Sequence, residues 1–290
     1  MKLIVSPYTA IYMKIKFLGT GAAEGVPALF CNCEYCKTIR SLGESEYRTR
    51  SQVLIDDVLS IDFPPDAYAH SLRFGAEFSK LKYILATHSH MDHFYAHDFI
   101  LRGYKYAVFS EPRLDIYGNS EVKKVFGECT AREMKPDVAP HVNCIVIKPF
   151  QVLNIGEYRV LTLPANHSKR EDALLFYVER GGKGYLHLYD TGRISDEAFD
   201  FLSDNNANIK LVCFDCTFIE QTGGDSARHM GIEDDMHMKQ KLFERGLVDG
   251  NTKLIISHFS HNSNPTRAHL KKIEKQYGVI AAYDGFYTEI

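Results

Sequence analysis

The residues of this chain that could do metal chemistry crowd into two short stretches. The denser is His88-Ser89-His90-Met91-Asp92-His93, three imidazoles and a carboxylate in six residues. Neutral nitrogen donors plus one hard anionic donor are what one or two borderline divalent ions need. In extended backbone His88 and His90 point the same way and can chelate one ion, and a turn after His90 sends Asp92 and His93 toward a second. The other stretch is Cys31-Asn32-Cys33-Glu34-Tyr35-Cys36. It offers three thiolates, one ligand short of a closed tetrahedron. His261, in Ser257-His258-Phe259-Ser260-His261, is the candidate fourth ligand, and the ion would be a structural zinc clamping an early loop to a late one.

These side chains need a frame, and the apolar runs supply it. Runs of strand length occur at 15–18, 52–55, 58–61, 83–86, 107–109, 144–147, 158–163, 174–178, 185–189, 209–214, 254–257 and 279–283. Several are apolar on both faces, as fully buried strands are. Asp56-Asp57 reads as a hairpin turn, and helical patterns cover 196–204, 232–245 and 265–276, the last with Pro265 in its first turn. The residues at the ends of the runs carry the most information. Four runs lead directly into His88, His167, Asp190 and His258, and two end in Asp62 and Asp215. Ligand sites of α/β folds gather at carboxyl ends of strands, so these residues can converge. Asp62 and Asp215 then stand where they could accept the N–H of a ligand imidazole. Mixed sheets with helices outside them, in one domain over 13–290, fit best. Residues 1–12 read as an N-terminal extension ahead of Met13.

Composition bounds the rest. At 290 residues, 45% hydrophobic, the chain can bury a large core without disulfides. With 34 basic against 37 acidic residues it has no global attraction to nucleic acid or anionic membrane, and no apolar run approaches the ~20 residues of a membrane span. An odd number of cysteines, three of them clustered, points to metal ligands in a reducing compartment, and the expected location is cytoplasmic.

The H-x-H-x-D-H stretch, with His167, Asp190 and His258 after it in order, resembles the metallo-β-lactamase superfamily. That resemblance implies a four-layered αββα sandwich with two divalent ions, zinc or manganese, between the sheets at one edge. It assigns His88, His90 and His167 to one ion and Asp92, His93 and His258 to the other, with Asp190 spanning both. Gly19-Thr20-Gly21, the cysteine triad, Asn166-His167-Ser168, Asp190-Thr191-Gly192 and Ser257-His258-x-x-His261 occur together in the same order. The whole set, from about Met13 onward, resembles the phosphoribosyl 1,2-cyclic phosphate phosphodiesterases of the PhnP type. The implied function is hydrolysis of a small cyclic phosphodiester by a metal-bridging hydroxide, with Asp92 and His229 taking direct parts in catalysis. His229 would protonate the leaving sugar oxygen. Arg228, Lys169 and Arg170 are the candidate substrate phosphate contacts. The expected partner is a small-molecule phosphodiester, and a homodimer is the oligomer this reading admits. A thioesterase, lactonase or tRNA-processing nuclease on the same site is the alternative, although the nuclease would need an exposed basic arm, and none is visible. So is an accessory protein of cofactor biosynthesis similar to pyrroloquinoline-quinone biosynthesis protein B, a group that shares the cysteine triad but departs from the full dinuclear set.

Overall fold

A computed structural model describes residues 12–108, 113–224 and 227–290. The expected extension over 1–12 therefore lies, except for Tyr12, outside the described residues. Two seven-stranded sheets face each other. The first contains β1 (Lys14–Gly19), β2 (Gln52–Ile55), β3 (Leu59–Ile61), β4 (Tyr83–Leu85), β5 (Leu114–Gly118) and β6 (Val142–Val146). The second contains β7 (Val152–Ile155), β8 (Tyr158–Pro164), β9 (Leu174–Arg180), β10 (Lys183–Leu188), β11 (Ile209–Asp215), β12 (Lys253–Ser257) and β13 (Ile280–Ala281). The last strand, β14 (Phe286–Glu289), returns to the first sheet and pairs antiparallel with β1. In each sheet an antiparallel part passes into a parallel part, β3 to β6 in one and β10 to β13 in the other. Parallel strands all end on one side, and β8, antiparallel to β9 as β10 is, runs the same way as β10, so six polar strand ends come together.

Side-chain alternation along the strands builds the layers. On β10, Tyr185 lies in the core between the sheets, while Leu186 and Leu188 lie in the core on the outer face. The outer face of the second sheet is covered by α4 (Asp196–Asp204), α5 (Ile232–Glu244) and α6 (Arg267–Tyr277), which bury Phe199, Met238 and Leu270 there. The first sheet is flanked by α2 (Ala67–Phe74) and α3 (Ser120–Thr130), with α1 (Glu34–Leu42) carrying the end of the cysteine stretch. The molecule is thus the αββα sandwich. Gly184 permits its tight packing, since a Cβ there would sit 2.1 Å from the Tyr177 ring.

The Asp56-Asp57 turn, with Val58, joins β2 to β3; both aspartates have positive φ, 50° and 61°, and the Val58 amide donates to the Ile55 carbonyl at 3.1 Å. The run at 107–109 is not a strand where it is described. Ala107 and Val108 lie in irregular backbone, Val108 is fully exposed, and Phe109 lies outside the described residues. The last helix begins later than the sequence pattern indicates: Thr266 is its N-cap, accepting from the His269 amide, so Pro265 precedes the helix instead of sitting in its first turn. The run at 279–283 shortens to Ile280–Ala281.

Candidate metal centre

Six strand ends deliver the site. Three of the residues just beyond them, Asp62, Asp190 and His258, have positive φ of 62°, 49° and 63°. Such backbone costs free energy in residues other than glycine, and it persists where the surroundings over-determine it. Here it turns each side chain from its strand into the space between the sheets.

On the first sheet, Asp62 Oδ1 accepts from the Thr87 amide at 2.8 Å and from the Thr87 hydroxyl at 2.9 Å. Its Oδ2 accepts from His93 Nδ1 at 2.6 Å, and Thr87 Oγ1 in turn lies 2.9 Å from His88 Nδ1. The Thr87 proton goes to Asp62, so its oxygen is left to accept from His88 Nδ1–H. Both imidazoles thereby keep their Nε2 lone pairs for the interior. The second sheet repeats the device. Thr217 Oγ1 donates to Asp215 Oδ1 at 2.7 Å and lies 2.9 Å from His258 Nδ1, and Asp215 Oδ2 accepts from His229 Nδ1 at 2.9 Å. Asp62 and Asp215 are thus both placed against imidazole N–H groups. Thr87 and Thr217 are parts of the site that the sequence reading misses, although each is within two residues of a site residue.

The freed donors converge in two groups. His88 Nε2 is 2.9 Å from His90 Nδ1 and 3.3 Å from Asp190 Oδ2. His167 Nε2 is 3.4 Å from His90 Nδ1 and 3.5 Å from Asp190 Oδ2. In the other group His93 Nε2 is 3.2 Å from Asp92 Oδ2 and 3.1 Å from Asp190 Oδ2, and His258 Nε2 is 2.8 Å from Asp190 Oδ1. Ligands on ~2.0–2.1 Å arms at tetrahedral angles are about 3.3 Å apart, so both groups have the spacing of a coordination shell. His93 Nε2, His258 Nε2 and Asp190 Oδ1 are buried yet make no hydrogen bond. Buried polar atoms without partners are rare, and lone pairs aimed at one point fit a cation. The charge pattern agrees. Burial would raise the Asp190 carboxyl, but His258 and His93 hold it well below the usual carboxylate range. Burial acts on Asp92 in the same upward sense, and His93 again holds the carboxyl low. The residues present fit two divalent ions, with Asp190 common to both groups.

Two further contacts brace these loops. Glu171 accepts from the Ser89 amide at 3.0 Å and from its hydroxyl at 2.7 Å, gripping the residue between His88 and His90. Glu171 also accepts from Asn119, which caps α3. His229 stacks on His258 with rings 5.8 Å apart and 13° from parallel, and lies 3.6 Å from Asp190. Burial would lower its pKa, but Asp215 raises it to about 9, so it carries a proton at neutral pH at the rim of the site. Its segment is pressed against Gly192, where a Cβ would fall 1.9 Å from the Ala227 carbonyl.

Cys31, Cys33, Cys36 and His261 also come together, with donor atoms within 4.8 Å of one another and Cys36 Sγ 3.4 Å from His261 Nδ1. Amides aim at the sulfurs: Cys33 N donates to Cys31 Sγ, Cys36 N to Cys33 Sγ and Ala28 N to Cys36 Sγ, each at 3.4 Å. The Cys36 amide, helped by Cys31, lowers the Cys33 thiol to about 6, toward the thiolate a metal takes, while burial pushes Cys36 up to about 11. Cys213 and Cys216 lie apart from this group, buried in the inner and outer cores respectively. Arg228, Lys169 and Arg170 are exposed. None of them lines the cavity of about 480 Å³ that Asn166, beside His167, shares with Arg193, Ser195, His237 and Lys241.

Comparison with known proteins adds the family. A family model described as a beta-lactamase superfamily domain matches residues 51–249. The crystal structure of a diphosphatase from the PhnP family superposes with a TM-score of 0.70 at 19% identity, covering 97% of this chain and 98% of that one. Zinc-bound PqqB from Methylobacterium extorquens gives 0.66 at 16%, covering 96% of this chain and 100% of that one. At these identities the likeness is one of fold. An octanoyltransferase of Porphyromonas gingivalis is 27% identical over 180 residues, 52% of this chain and 34% of that protein. The chain thus spans about a third of the length of that relative.

Proposed function

Since this chain belongs to the beta-lactamase superfamily, we propose that it is a metal-dependent phosphodiesterase acting on a small cyclic phosphodiester such as a ribose 1,2-cyclic phosphate. His88, His90 and His167 would hold one ion, Asp92, His93 and His258 the other, and Asp190 both. Two divalent ions there would supply Lewis acidity toward phosphoryl oxygens and toward water. The chain's own residues do the rest. Asp62 with Thr87, and Asp215 with Thr217, hold the ligand imidazoles in one tautomer and one orientation.

The observation that carries the reading is His229. Its imidazole is fixed by Asp215 beside His258 and His167, and that carboxylate raises its pKa to about 9. A sugar alkoxide is a poor leaving group and needs such a proton. Asp215 would orient Nδ1–H and leave Nε2–H to face the departing oxygen. The likeness in fold to a PhnP-family diphosphatase supports a phosphate substrate, and the cavity bordered by Asn166, Arg193 and Lys241 has room for the remainder of a sugar phosphate.

Elemental analysis should find about three transition metals per chain, and His90→Ala should lose one or both of the dinuclear pair with nearly all hydrolysis while staying folded. The substrate test is a panel of metal-loaded protein against a ribose cyclic phosphate, bis(p-nitrophenyl) phosphate, a diphosphate, a thioester and a lactone. Turnover of the cyclic phosphate at the highest kcat/KM supports the reading. Rapid thioester or lactone hydrolysis with no phosphodiester turnover would replace it with the acyl-hydrolase alternative.

A further inference from the structure

Away from the metal centre, Arg48 is a buried cation with no direct ion pair, joined to the Asp284 carboxylate only through Thr20 Oγ1, which accepts from Arg48 and donates to Asp284. It is 5% exposed, and among the described residues its hydrogen-bond partners are a hydroxyl and a carbonyl, not a carboxylate. Asp284 is near enough to influence its charge, but the Asp284 oxygens are taken by the amides and hydroxyls of Thr20 and Thr49. Both hydrogen bonds of the Arg48 guanidinium leave from Nη1, to Thr20 Oγ1 at 2.8 Å and to the Ala282 carbonyl at 2.7 Å. Its Nε is buried with no partner. An unpaired buried guanidinium is costly unless something anionic meets it.

Arg48 lines a cavity of about 220 Å³ together with Arg267, Lys271, Glu274, Tyr283 and Phe286. Among the described residues Arg267 likewise has no carboxylate partner for its side chain: Nε donates to the Ser45 carbonyl, and the guanidinium lies 5.2 Å from the Tyr283 ring. The acids nearby are already engaged. Glu274 accepts from the Ala281 amide and pairs with Lys271 at 3.0 Å, and Glu46 accepts from the Arg267 amide. Two arginines and the Lys271–Glu274 pair therefore line one small cavity, with an excess of positive charge. Planar forks of this kind match the oxygens of phosphate groups.

We propose that this cavity binds a phosphate-class oxyanion, held by Arg48 and Arg267 with Lys271 beside them, as a second site separate from the metal centre. The two sites communicate through one short segment. Arg48 lies over the Phe259 ring at 4.5 Å, Phe259 is the residue after His258, and the Phe259 amide donates to the Thr20 carbonyl at 3.0 Å. An anion on Arg48 thus steadies the loop that presents His258 and His261.

The test is calorimetric titration of inorganic phosphate into metal-loaded protein, with acetate as the control anion. Because phosphate can also enter the metal centre, His90→Ala is titrated in parallel to identify the isotherm that belongs there. The wild type should show a phosphate site that His90→Ala retains and that Arg267→Ala weakens at least tenfold, with metal content unchanged. Arg48→Lys, which keeps the charge and loses the fork, should weaken the same site. Identical isotherms for wild type, Arg267→Ala and Arg48→Lys would overturn the proposal, as would acetate binding as tightly as phosphate.

Discussion

At the scale of single residues, the arrangement separates holding from proton transfer. Two aspartate–threonine pairs hold imidazoles, and one imidazole, His229, retains a proton at the rim of the site. This predicts a split between substrates. His229→Ala should slow hydrolysis of a ribose cyclic phosphate by about 10²–10⁴-fold, because its alkoxide must be protonated. Loss on bis(p-nitrophenyl) phosphate should stay under about tenfold, since p-nitrophenolate departs unaided. Equal losses on both would remove His229 from the acid role. The residues that converge at the two metal groups are legible in sequence from the density of donors in the His88–His93 stretch and from the resemblance that sets His167, Asp190 and His258 after it in order. Thr87, Thr217 and Glu171 are not. Threonine and glutamate are common at strand ends and in loops, and their part here exists through three-dimensional contacts with Asp62, Asp215 and Ser89. The expected substrate contacts illustrate a related difficulty. Lys169, Arg170 and Arg228 flank the key histidines in sequence, but they are exposed, whereas Arg193 and Lys241 reach the neighbouring cavity from α4's entry and from α5.

At the scale of elements, long apolar runs announce themselves and edge or amphipathic elements do not. Strand β5 alternates buried with half-buried residues, and β7 and β14 are sheet edges with mixed surfaces, so none shows a continuous apolar run. Helices α1, α2 and α3 bury only two residues each and leave weak patterns. The cysteine stretch shows how a metal can substitute for a core in such a region. Helix α1 starts at Cys33, whose sulfur accepts from the Cys36 amide, and its buried face consists of Cys36 and Ile39. Cys33→Ser is therefore a clean probe, since serine also caps a helix N-terminus and the lost function is thiolate ligation. The variant should lose the structural zinc and about 2 kcal/mol or more, a Tm drop of roughly 3 °C or more in a chain of this size. Hydrolysis should fall with it, through displacement of the His258–His261 segment. Melting at the wild-type temperature would show that the site does not support the fold.

At the scale of the whole molecule, each metal group draws its residues from both sheets. His88, His90, Asp92 and His93 follow β4 of the first sheet, whereas His167, Asp190 and His258 follow β8, β10 and β12 of the second. Between the sheets lies an apolar layer of residues such as Phe17, Ile55, Phe176 and Tyr185, and away from the metal groups Tyr158 and Arg180 reach Asp56 and Lys253 reaches Thr288. The common direction of strand ends makes this convergence foreseeable, but the sheet order, with β14 returning beside β1, is not, because edge pairing leaves little trace in a sequence. Ions bound across the join bind the folded chain and not a separated one, so they must stabilise it by mass action. Each tenfold rise in free metal should add about 1.4 kcal/mol for every occupied site until the unfolded chain also binds. Scanning calorimetry in chelator-buffered zinc should accordingly show Tm climbing with the logarithm of free metal. His90→Ala should reduce that slope by removing the dinuclear contribution, and Cys33→Ser should reduce it by removing the thiolate site and by loosening the loop that His258 and His261 share. A Tm independent of free metal in protein shown to hold its ions at the higher concentrations and to lose them at the lower would mean that the apolar layer alone fixes the sandwich. The six strand ends would then serve the chemistry without serving the fold.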